Sequence, residues 1–509
     1  MTLRLVPQSR EKQLSIFLKG VDSLTNDQKG TNLYPKIIDN ANVFKKRLGL
    51  GVSFDAGNRV FHINSTEVNL YYVSGLTNTF YIQMILEELM SLDNFETDKT
   101  VFQLVEEKIV NQSVLIVKTF EEAIRFIFSG LIVIIVDGED KAFVVDVRSY
   151  PGRNPAEPDT ERVVRGSRDG FIENIVINTA LLRRRIRDEN LRHELIRVGT
   201  SSQMDICIAY IEGIANKDLV DEIRNRINSI NVDGLSMSEK KLEEFIMEQN
   251  YNPFPLVRYS ERPDVVSNHL IEGHVAIIVD TSPSVMITPI TYYHLLQHAE
   301  EFRQTPAVGT FLRWVRYMGV FMSLFLLPIW LLLCMHPEIL PSGLSYIGPK
   351  ETSNIPIFLQ LIIADIGIEF LRMASIHTPN AVSTSMGIIA AILIGQVAIA
   401  VGLFQSEVVL YTAISMIGSY STPSYELALA NKLAKFIILV VTAIFGIKGF
   451  MVSSTVFILF LVSLKTLNTP YMWPFIPFDA RAFFHFVIRT KASENKKKKG
   501  GKTIGDATL

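Results

Sequence analysis

The stretch YMGVFMSLFLLPIWLLLCM, residues 317–335, decides the architecture of this chain of 509 residues. It carries no charge, and about twenty apolar residues in a helix cross the hydrocarbon core of a bilayer. Soluble-looking sequence precedes residue 310, and further apolar runs continue to residue 465. We therefore predict an α/β soluble N-terminal module fused to an all-α polytopic transmembrane module, an arrangement typical of transporters, channels and receptors.

The transmembrane module contains six candidate spans. They cover residues 317–335, 355–375, 386–404, 408–419, 434–447 and 449–465. Because only Lys448 and Gly449 mark the boundary of the last two, these form either a tight hairpin or one broken helix, and five spans with a re-entrant piece also fit. Basic residues before span one, after span four and in the C-terminal tail place both termini in the cytoplasm.

The second span carries the charges. Asp365, Glu369 and Arg372 are spaced i, i+4 and i+7, so they share one helical face. A charge at membrane depth costs roughly 2.5–3.5 kcal/mol on insertion scales. The face is either an ion-pair cluster that holds the bundle together or the polar wall of a cation path, with Asp365 the freer carboxylate if Glu369 and Arg372 pair.

Two proline-containing segments interrupt the spans. One holds Pro379 after span two, and the other holds Thr422, Pro423 and Glu426 after span four. Proline cannot donate a backbone hydrogen bond and disfavours helix at the preceding residue. The segments are either ordinary helix-ending loops or hinge and gate elements.

The soluble module repeats itself. LYYVSGLTN (70–78) resembles IAYIEGIAN (208–216), and SGLIVIIVDG (129–138) resembles EGHVAIIVDT (272–281) in the same order. We predict two related small mixed-sheet subdomains, with helices at 79–90, 120–128 and 217–228 and a strand at 131–136. Asp137 and Asp280, which end equivalent strands, are expected to cap turns or helices.

An arginine-rich linker joins the two halves. Prolines at 151, 155 and 158 predict an extended passage, followed by a helix at 171–182. The arginines that stand out are Arg165, Arg168, Arg183, Arg184 and Arg185. They are either satisfied by local ion pairs or form a surface that contacts a neighbouring subunit or domain.

The composition and motifs exclude several classes of function. A formal net charge of −2 gives no support for nucleic-acid binding. Cys207 and Cys334 fit neither a CxxC site nor a disulfide framework. No Walker A, GxGxxG or HExxH motif is present, and we expect no enzyme, no cofactor and no metal site. His294 and His298 are expected on an exposed polar helix face.

These features divide the chain into six parts. They are an N-terminal segment (1–56), α/β subdomain 1 (57–150), the linker and its helix (151–187), α/β subdomain 2 (188–302), the transmembrane domain (303–470) and a cytoplasmic basic tail (471–509).

Three segments resemble a known family. RGSRDGFIENIVINTALLRRRIR with the preceding EPDTE, TPSYELALANKLAKF, and TLNTPYMWPFIPF are similar to the signatures of the A-subunit family of spore germinant receptors. The resemblance extends over nearly the whole chain from about residue 30.

The resemblance implies a setting and an activity. Members are expected in the inner membrane of dormant spores as multi-pass proteins, with both termini and the soluble module facing the core. They are expected to form ring-shaped homo-oligomers, pentamers, that conduct monovalent cations and amplify the nutrient signal. A small membrane protein and the nutrient germinant receptors are the implied partners. A receptor subunit that transduces ligand binding and a non-conducting scaffold are the alternatives.

Overall fold

A computed structural model describes most of the chain. The described residues are 31–92, 99–109, 111, 114–149, 161, 166–234, 238–249, 251–339, 347–348, 355–377, 387–388, 392 and 396–489. The chain divides into two compact units, one of residues 1–151 with 186–190 and the other of residues 152–185 with 191–509. The predicted α/β class of the soluble module and the helical class of the C-terminal module are both confirmed.

The first unit is an antiparallel sheet covered by helices on both faces. Its helices are α1 (Ile37–Leu48), α2 (Thr79–Met90), α3 (Val101–Lys108) and α4 (Phe120–Ile127), and its strands are β1 (Ala56–Ile63), β2 (Thr66–Val73), β3 (Val114–Val117), β4 (Ile132–Val136) and β5 (Ala142–Val145). The strand order is β1-β2-β4-β5-β3. All five residues of β4 are buried. Its alternate side chains pack against α2 and α3 on one face, which explains why this run is apolar throughout.

The second unit begins with a subdomain of the same design. Its helices are α5 (Ile175–Arg185), α6 (Lys217–Asn228), α7 (Ser238–Met247), α8 (Pro263–Ile271), α9 (Tyr292–Leu295) and α10 (Ala299–Arg303), and its strands are β6 (Leu191–Val198), β7 (Met204–Ile211), β8 (Arg258–Ser260), β9 (Val275–Val279) and β10 (Val285–Thr288). The strand order is β6-β7-β9-β10-β8. Each ladder that the structure describes in both sheets is antiparallel.

The two sheets have the same strand order, so the predicted duplication is confirmed in three dimensions. The matched residues also have matched roles. Asn78 and Asn216 each cap the following helix by accepting two backbone N–H groups. Gly75 and Gly213 both adopt positive φ, 80° and 82°, which only glycine tolerates without strain. The matched sequence positions therefore have the same helix cap and the same backbone conformation in both subdomains.

The matched aspartates cap helices that precede them in the chain. Asp137 Oδ1 accepts the backbone N–H of Ile37 at 2.9 Å, and Asp280 Oδ1 accepts that of Ile175 at 3.0 Å. The predicted capping role is thus confirmed, and it makes α5 the counterpart of α1. The structure therefore differs from the predicted boundaries at 56 and at 187, because each of these helices is an integral part of its own subdomain.

The helical module follows the second subdomain. It contains α11 (Pro306–Met335), a short 3₁₀ turn (Pro337–Ile339), α12 (Ile357–His377), α13 (Ala398–Ala400), α14 (Ser406–Tyr420) and α15 (Tyr425–Ser463), and then β11 (Lys465–Thr466), β12 (Thr469–Pro470) and α16 (Ala480–Val487). Among the described residues, α11 and α15 are long and apolar enough to cross a membrane. Most of the predicted third span, 386–404, lies outside the described residues.

The long helix α15 folds back on itself at Gly446, whose φ of 60° and ψ of −138° are not helical. A methyl group at Gly449 would overlap the Val441 carbonyl oxygen, although residues eight apart in a straight helix are about 12 Å apart. Tyr425 lines a cavity with residues of the second subdomain, and the Phe460 ring lies 6.0 Å from that of Phe254 in the same subdomain. Of the two predicted alternatives, the structure has the hairpin.

The end of the module that contacts the second subdomain is called the near end, and the opposite end the far end. The chain leaves the near end along α11. At the start of α14, the backbone N–H of Gln405 donates to Gln360 Oε1, near the start of α12, at 2.9 Å. The C-terminal end of α12 approaches Tyr425 at the start of α15. Because the first arm of the α15 hairpin runs away from the near end and the second arm returns to it, the module begins and ends at its near end.

Glycines lie at the crossing of α11 and α14. A methyl group at Gly418 of α14 would overlap the Gly319 carbonyl of α11. Nearby, the Ser415 hydroxyl donates to the Ser323 carbonyl at 3.3 Å. Small residues at a crossing let two helix backbones approach closely, which is the usual way that helices pack within a bilayer.

Candidate functional site

Two helices of the module contribute a row of charges, which we call the charged ladder: Asp365, Glu369 and Arg372 from α12, and Lys432 and Lys435 from the first arm of α15. At its deeper end, Lys435 Nζ donates to Asp365 Oδ1 at 2.8 Å. The Asp365 side chain is 0% exposed and that of Lys435 is 4% exposed. Both members of this pair are therefore buried.

Glu369 forms the other end of the ladder. Its carboxylate accepts from Lys432 Nζ at 2.5 Å and also pairs with Arg372, one helical turn away. The Arg372 guanidinium lies 4.9 Å from the centre of the Tyr425 ring, a cation–π contact. These side chains remain partly exposed, 20% for Glu369 and 15% for Arg372.

The structure thus brings the three predicted residues together and pairs each of them. The predicted pairing of Glu369 with Arg372 is present, but the expectation that Asp365 would then be the freer carboxylate is wrong, because Lys435 holds it. Glu369 is the more accessible of the two carboxylates. The geometry is that of an ion-pair cluster within one chain, and whether the same face lines a cation path stays a prediction.

Sequence reasoning missed the two lysines as partners. Lys432 and Lys435 are spaced i, i+3 in the apolar run ELALANKLAKFIILVV, and by sequence they contribute only to the basic charge that follows span four. Two cations on one face of a helix, opposite two carboxylates on one face of another, are the signal that could have identified the ladder.

The loop between α14 and α15 adjoins the ladder. Ser424 caps α15 by accepting the Leu427 N–H at 3.2 Å, and the hydroxyl of the buried Thr422 finds no hydrogen-bond partner among the described residues. Pro423 and Glu426 line a cavity of about 280 Å³. Its other lining residues are Glu161, Glu239, Lys240, Arg258, Tyr259, Ser260, Glu261, Ser284, Leu295, Ser424 and Tyr425.

This loop therefore contacts the second subdomain at the near end of the module. The predicted hinge residues Thr422, Pro423 and Glu426 lie where a movement of the subdomain would reach α15 directly. Pro379, the fourth predicted hinge residue, lies outside the described residues.

A second network joins the subdomain to the start of α11. The Arg313 side chain is buried, donates to Glu301 of α10 at 2.9 Å, and donates to the Phe486 carbonyl of α16 at 2.9 Å. Arg316 also pairs with Glu301. Glu301 thus forms ion pairs with Arg313 and Arg316 of α11, and Arg313 also hydrogen-bonds to the C-terminal helix.

A backbone hydrogen bond joins α9 to the residue that follows β12. The backbone N–H of Tyr292 donates to the Tyr471 carbonyl at 2.9 Å. Burial raises the pKa of the Tyr292 phenol to about 12, so it stays neutral at physiological pH.

The predicted arginine surface divides into different roles. Arg183 is buried, and its guanidinium donates to the Leu191 carbonyl at 3.0 Å, so it serves the interior of the subdomain and not a subunit contact. Arg185 pairs locally with Asp169 at 2.6 Å. Arg168 and Arg184 are exposed, and Arg165 lies outside the described residues.

The expected exposed face at His294 and His298 is wrong. His294 is 2% exposed and lies in α9, whereas His298 caps the next helix by accepting the Glu300 N–H at 3.2 Å. Burial and the nearby Arg316 guanidinium lower the pKa of His298. The two rings belong to separate helices because α9 has only four residues.

Comparison with known families decides the assignment. The family model described as "Bacillus/Clostridium GerA spore germination protein" matches residues 42–500. The chain belongs to the GerA family of spore germination proteins. The family resemblance of the three sequence segments is thereby confirmed.

Individual relatives agree with this assignment. The chain is 54% identical over 459 residues to Stage V sporulation protein AF of Bacillus subtilis (strain 168), covering 90% of this chain and 93% of the relative. It is 32% identical over 355 residues to the uncharacterized membrane protein YfkQ of the same organism, covering 69% of each.

A solved structure is also similar in sequence. It is the N-terminal domain of the A subunit of the Bacillus megaterium spore germinant receptor GerK3, 29% identical, with a TM-score of 0.41. The alignment covers 52% of this chain and 99% of that domain.

The ladder yields a stability prediction. Asp365→Asn leaves the buried Lys435 ammonium without a counter-charge, and breaking a buried pair in this way typically costs about 3–5 kcal/mol. We expect a lower melting temperature in detergent for Asp365→Asn and for Lys435→Gln, and substantial recovery in the double variant, because it buries no net charge. Thermal unfolding of the four proteins in a double-mutant cycle measures this coupling.

Lys448→Gln is the control, because Lys448 is an exposed lysine of the same hairpin. A double variant destabilised by the sum of the two single losses would show that the two charges do not stabilise one another.

Proposed function

We propose that this GerA-family protein is a subunit of an oligomeric channel that releases monovalent cations across the spore inner membrane during germination. In this role it amplifies the signal of the nutrient germinant receptors. The observation that carries the proposal is the charged ladder, five acidic and basic side chains that pair within the helical module. Such charges are costly in a membrane and usually mark an ion or substrate path.

The surface of the module supports a membrane setting. Large apolar side chains are exposed along both long helices, including Met318, Phe321, Ile444, Met451 and Leu459. An exposed apolar surface of this extent is unfavourable in water and suits lipid or neighbouring subunits.

The course of the chain supports the proposed orientation. The module begins and ends at its near end, so the second subdomain and residues 471–489 lie on one side. Lysines cluster in the sequence after these residues, at 491, 496–499 and 502. The positive-inside tendency then places this side toward the cytoplasm, which in a spore is the core.

The exposure of the ladder suggests how a path would be arranged. Asp365 is closed off by Lys435, whereas Glu369 and Arg372 remain partly exposed. In the proposed homo-oligomer, a pentamer by family resemblance, Glu369 of each subunit would face the path and attract cations. The path thus forms between subunits, and Asp365 and Lys435 hold the two helices that carry it.

The loop at Pro423 is the proposed hinge of this channel. It connects the cavity of the second subdomain to the arm of α15 that carries Lys432 and Lys435. Movement of the subdomain, caused by a small membrane partner or by a nutrient receptor, would reach the ladder through this arm.

Flux measurements test the proposal. The purified protein is reconstituted into liposomes with a K⁺ gradient and no nutrient, and K⁺ release is recorded. We expect release, and about fivefold slower release for Glu369→Gln, because a carboxylate at about 4 Å attracts a cation by about 1 kcal/mol even in water. Glu407→Gln, a carboxylate of α14 outside the ladder, serves as the control.

Assembled protein that releases no K⁺ would contradict the channel and favour a receptor or scaffold role. Equal release by the parent and Glu369→Gln would remove Glu369 from the path.

Subunit contacts can be tested with neighbouring arginines. Arg184→Ala removes an exposed guanidinium and is expected to shift the detergent-solubilised oligomer toward smaller species, with a smaller change in melting temperature than Arg183→Ala. Arg183→Ala removes a buried donor to the Leu191 carbonyl and is expected to lower the melting temperature instead. Cross-linking and light scattering measure oligomer size, and an unchanged size distribution for Arg184→Ala would leave the segment as a connector only.

A further inference from the structure

Three histidine rings from separate parts of the second subdomain meet in its interior. His269 belongs to α8, His274 precedes β9, and His294 belongs to α9. They are 6%, 0% and 2% exposed. The ring centres of His269 and His274 are 4.9 Å apart, those of His274 and His294 are 5.1 Å apart, and those of His269 and His294 are 6.1 Å apart.

Backbone carbonyls fix the proton on two of these rings. His269 Nδ1 lies 2.8 Å from the Val265 carbonyl oxygen, and His274 Nδ1 lies 2.6 Å from that of Pro289. Since a carbonyl oxygen can only accept, each Nδ1 carries the hydrogen and each Nε2 carries a lone pair. A carbonyl that holds Nδ1–H is the usual outer support of a histidine that binds metal through Nε2.

The two Nε2 atoms are buried, and within the described part of the chain neither has a hydrogen-bond partner. A buried acceptor without a partner costs about 1–3 kcal/mol. Two such atoms on adjacent rings are therefore expensive, unless a ligand that accepts lone pairs binds there.

A carboxylate completes the set. Glu272, His274 and His294 each offer a ligand atom within 4.8 Å of the others. Ligands of four-coordinate zinc, with bonds of about 2.0–2.1 Å, are roughly 3.3 Å apart, so small side-chain movements bring these atoms into position. His294 Nδ1 accepts the Thr291 backbone N–H at 3.3 Å and lies 2.7 Å from the Thr291 hydroxyl, so the ring proton is on Nε2 in this structure. Binding a metal through Nε2 moves that proton to Nδ1, where the Thr291 hydroxyl accepts it and the backbone N–H contact is lost.

A positive charge lies near the cluster, because Arg258 Nη1 donates to the His294 carbonyl oxygen at 2.9 Å. Glu161, 3.5 Å from this guanidinium, offsets its charge.

We infer that this cluster is a binding site for a divalent transition metal of the zinc class. His274, His294 and Glu272 are its ligands. Glu272 is exposed and gives the metal a way in from solvent. The His294 ring packs 4.9 Å from the Phe486 ring of α16, so a bound metal would also stiffen the junction with the C-terminal helix.

Metal titration of the full-length protein tests the site. The protein is purified in detergent without a histidine tag, stripped with a chelator, and titrated with Zn²⁺ and Co²⁺. We expect one equivalent of Zn²⁺ per chain, the visible absorption of four-coordinate Co²⁺, and a melting temperature that rises with Zn²⁺.

The variants separate binding from folding. Glu272→Gln changes an exposed side chain, so it should fold normally yet bind Zn²⁺ at least about tenfold more weakly. His274→Asn should abolish the Co²⁺ absorption, and His62→Gln, an exposed histidine of β1, should bind as the parent does. No stoichiometric binding by the parent, or binding unchanged in both Glu272→Gln and His274→Asn, would overturn the assignment. Neither outcome depends on ion conduction.

Discussion

The Lys435 ammonium and the Asp365 carboxylate meet at 2.8 Å in a part of the module where neither side chain reaches solvent. Each charge alone would be costly in such surroundings, so each requires the other. Because the two residues belong to α12 and to the first arm of α15, their pairing fixes the register of these helices. Glu369 and Lys432 repeat the contact one turn away. The position of the remaining polar groups in the module follows from this register.

The ladder is connected to the soluble part through short segments. Arg372 contacts the Tyr425 ring at the start of α15, and Tyr425 lines the same cavity as Tyr259 of the second subdomain. Glu301 of the subdomain also forms an ion pair with Arg313 of α11, and Arg313 donates to a backbone carbonyl of the C-terminal helix. The subdomain thus contacts the helical module at two places, one on each long helix.

Signals between neighbouring residues predict many of the helices and strands. The contacts that they do not predict join residues far apart in the sequence. The helices at 79–90 and 217–228 were predictable because Asn78 and Asn216 are strong caps followed by apolar periodicity. The shared face of Asp365 and Glu369 followed from helical spacing alone. Their lysine partners are sixty-three and seventy residues away, and nothing in a single sequence pairs them. The histidine cluster was missed for the same reason, because its members come from separate elements that only the folded sheet brings together.

Water access to position 369 tests the central claim, that the accessible end of the ladder faces a cation path. With Cys207 and Cys334 replaced by serine, Glu369→Cys and Phe370→Cys are compared in assembled protein in lipid. Phe370 is 63% exposed on the same helix and serves as the lipid-facing control. The account predicts that a charged, membrane-impermeant thiol reagent modifies Glu369→Cys rapidly and alters K⁺ flux, while Phe370→Cys reacts slowly. Equally slow modification of both variants, with flux unchanged, would contradict it.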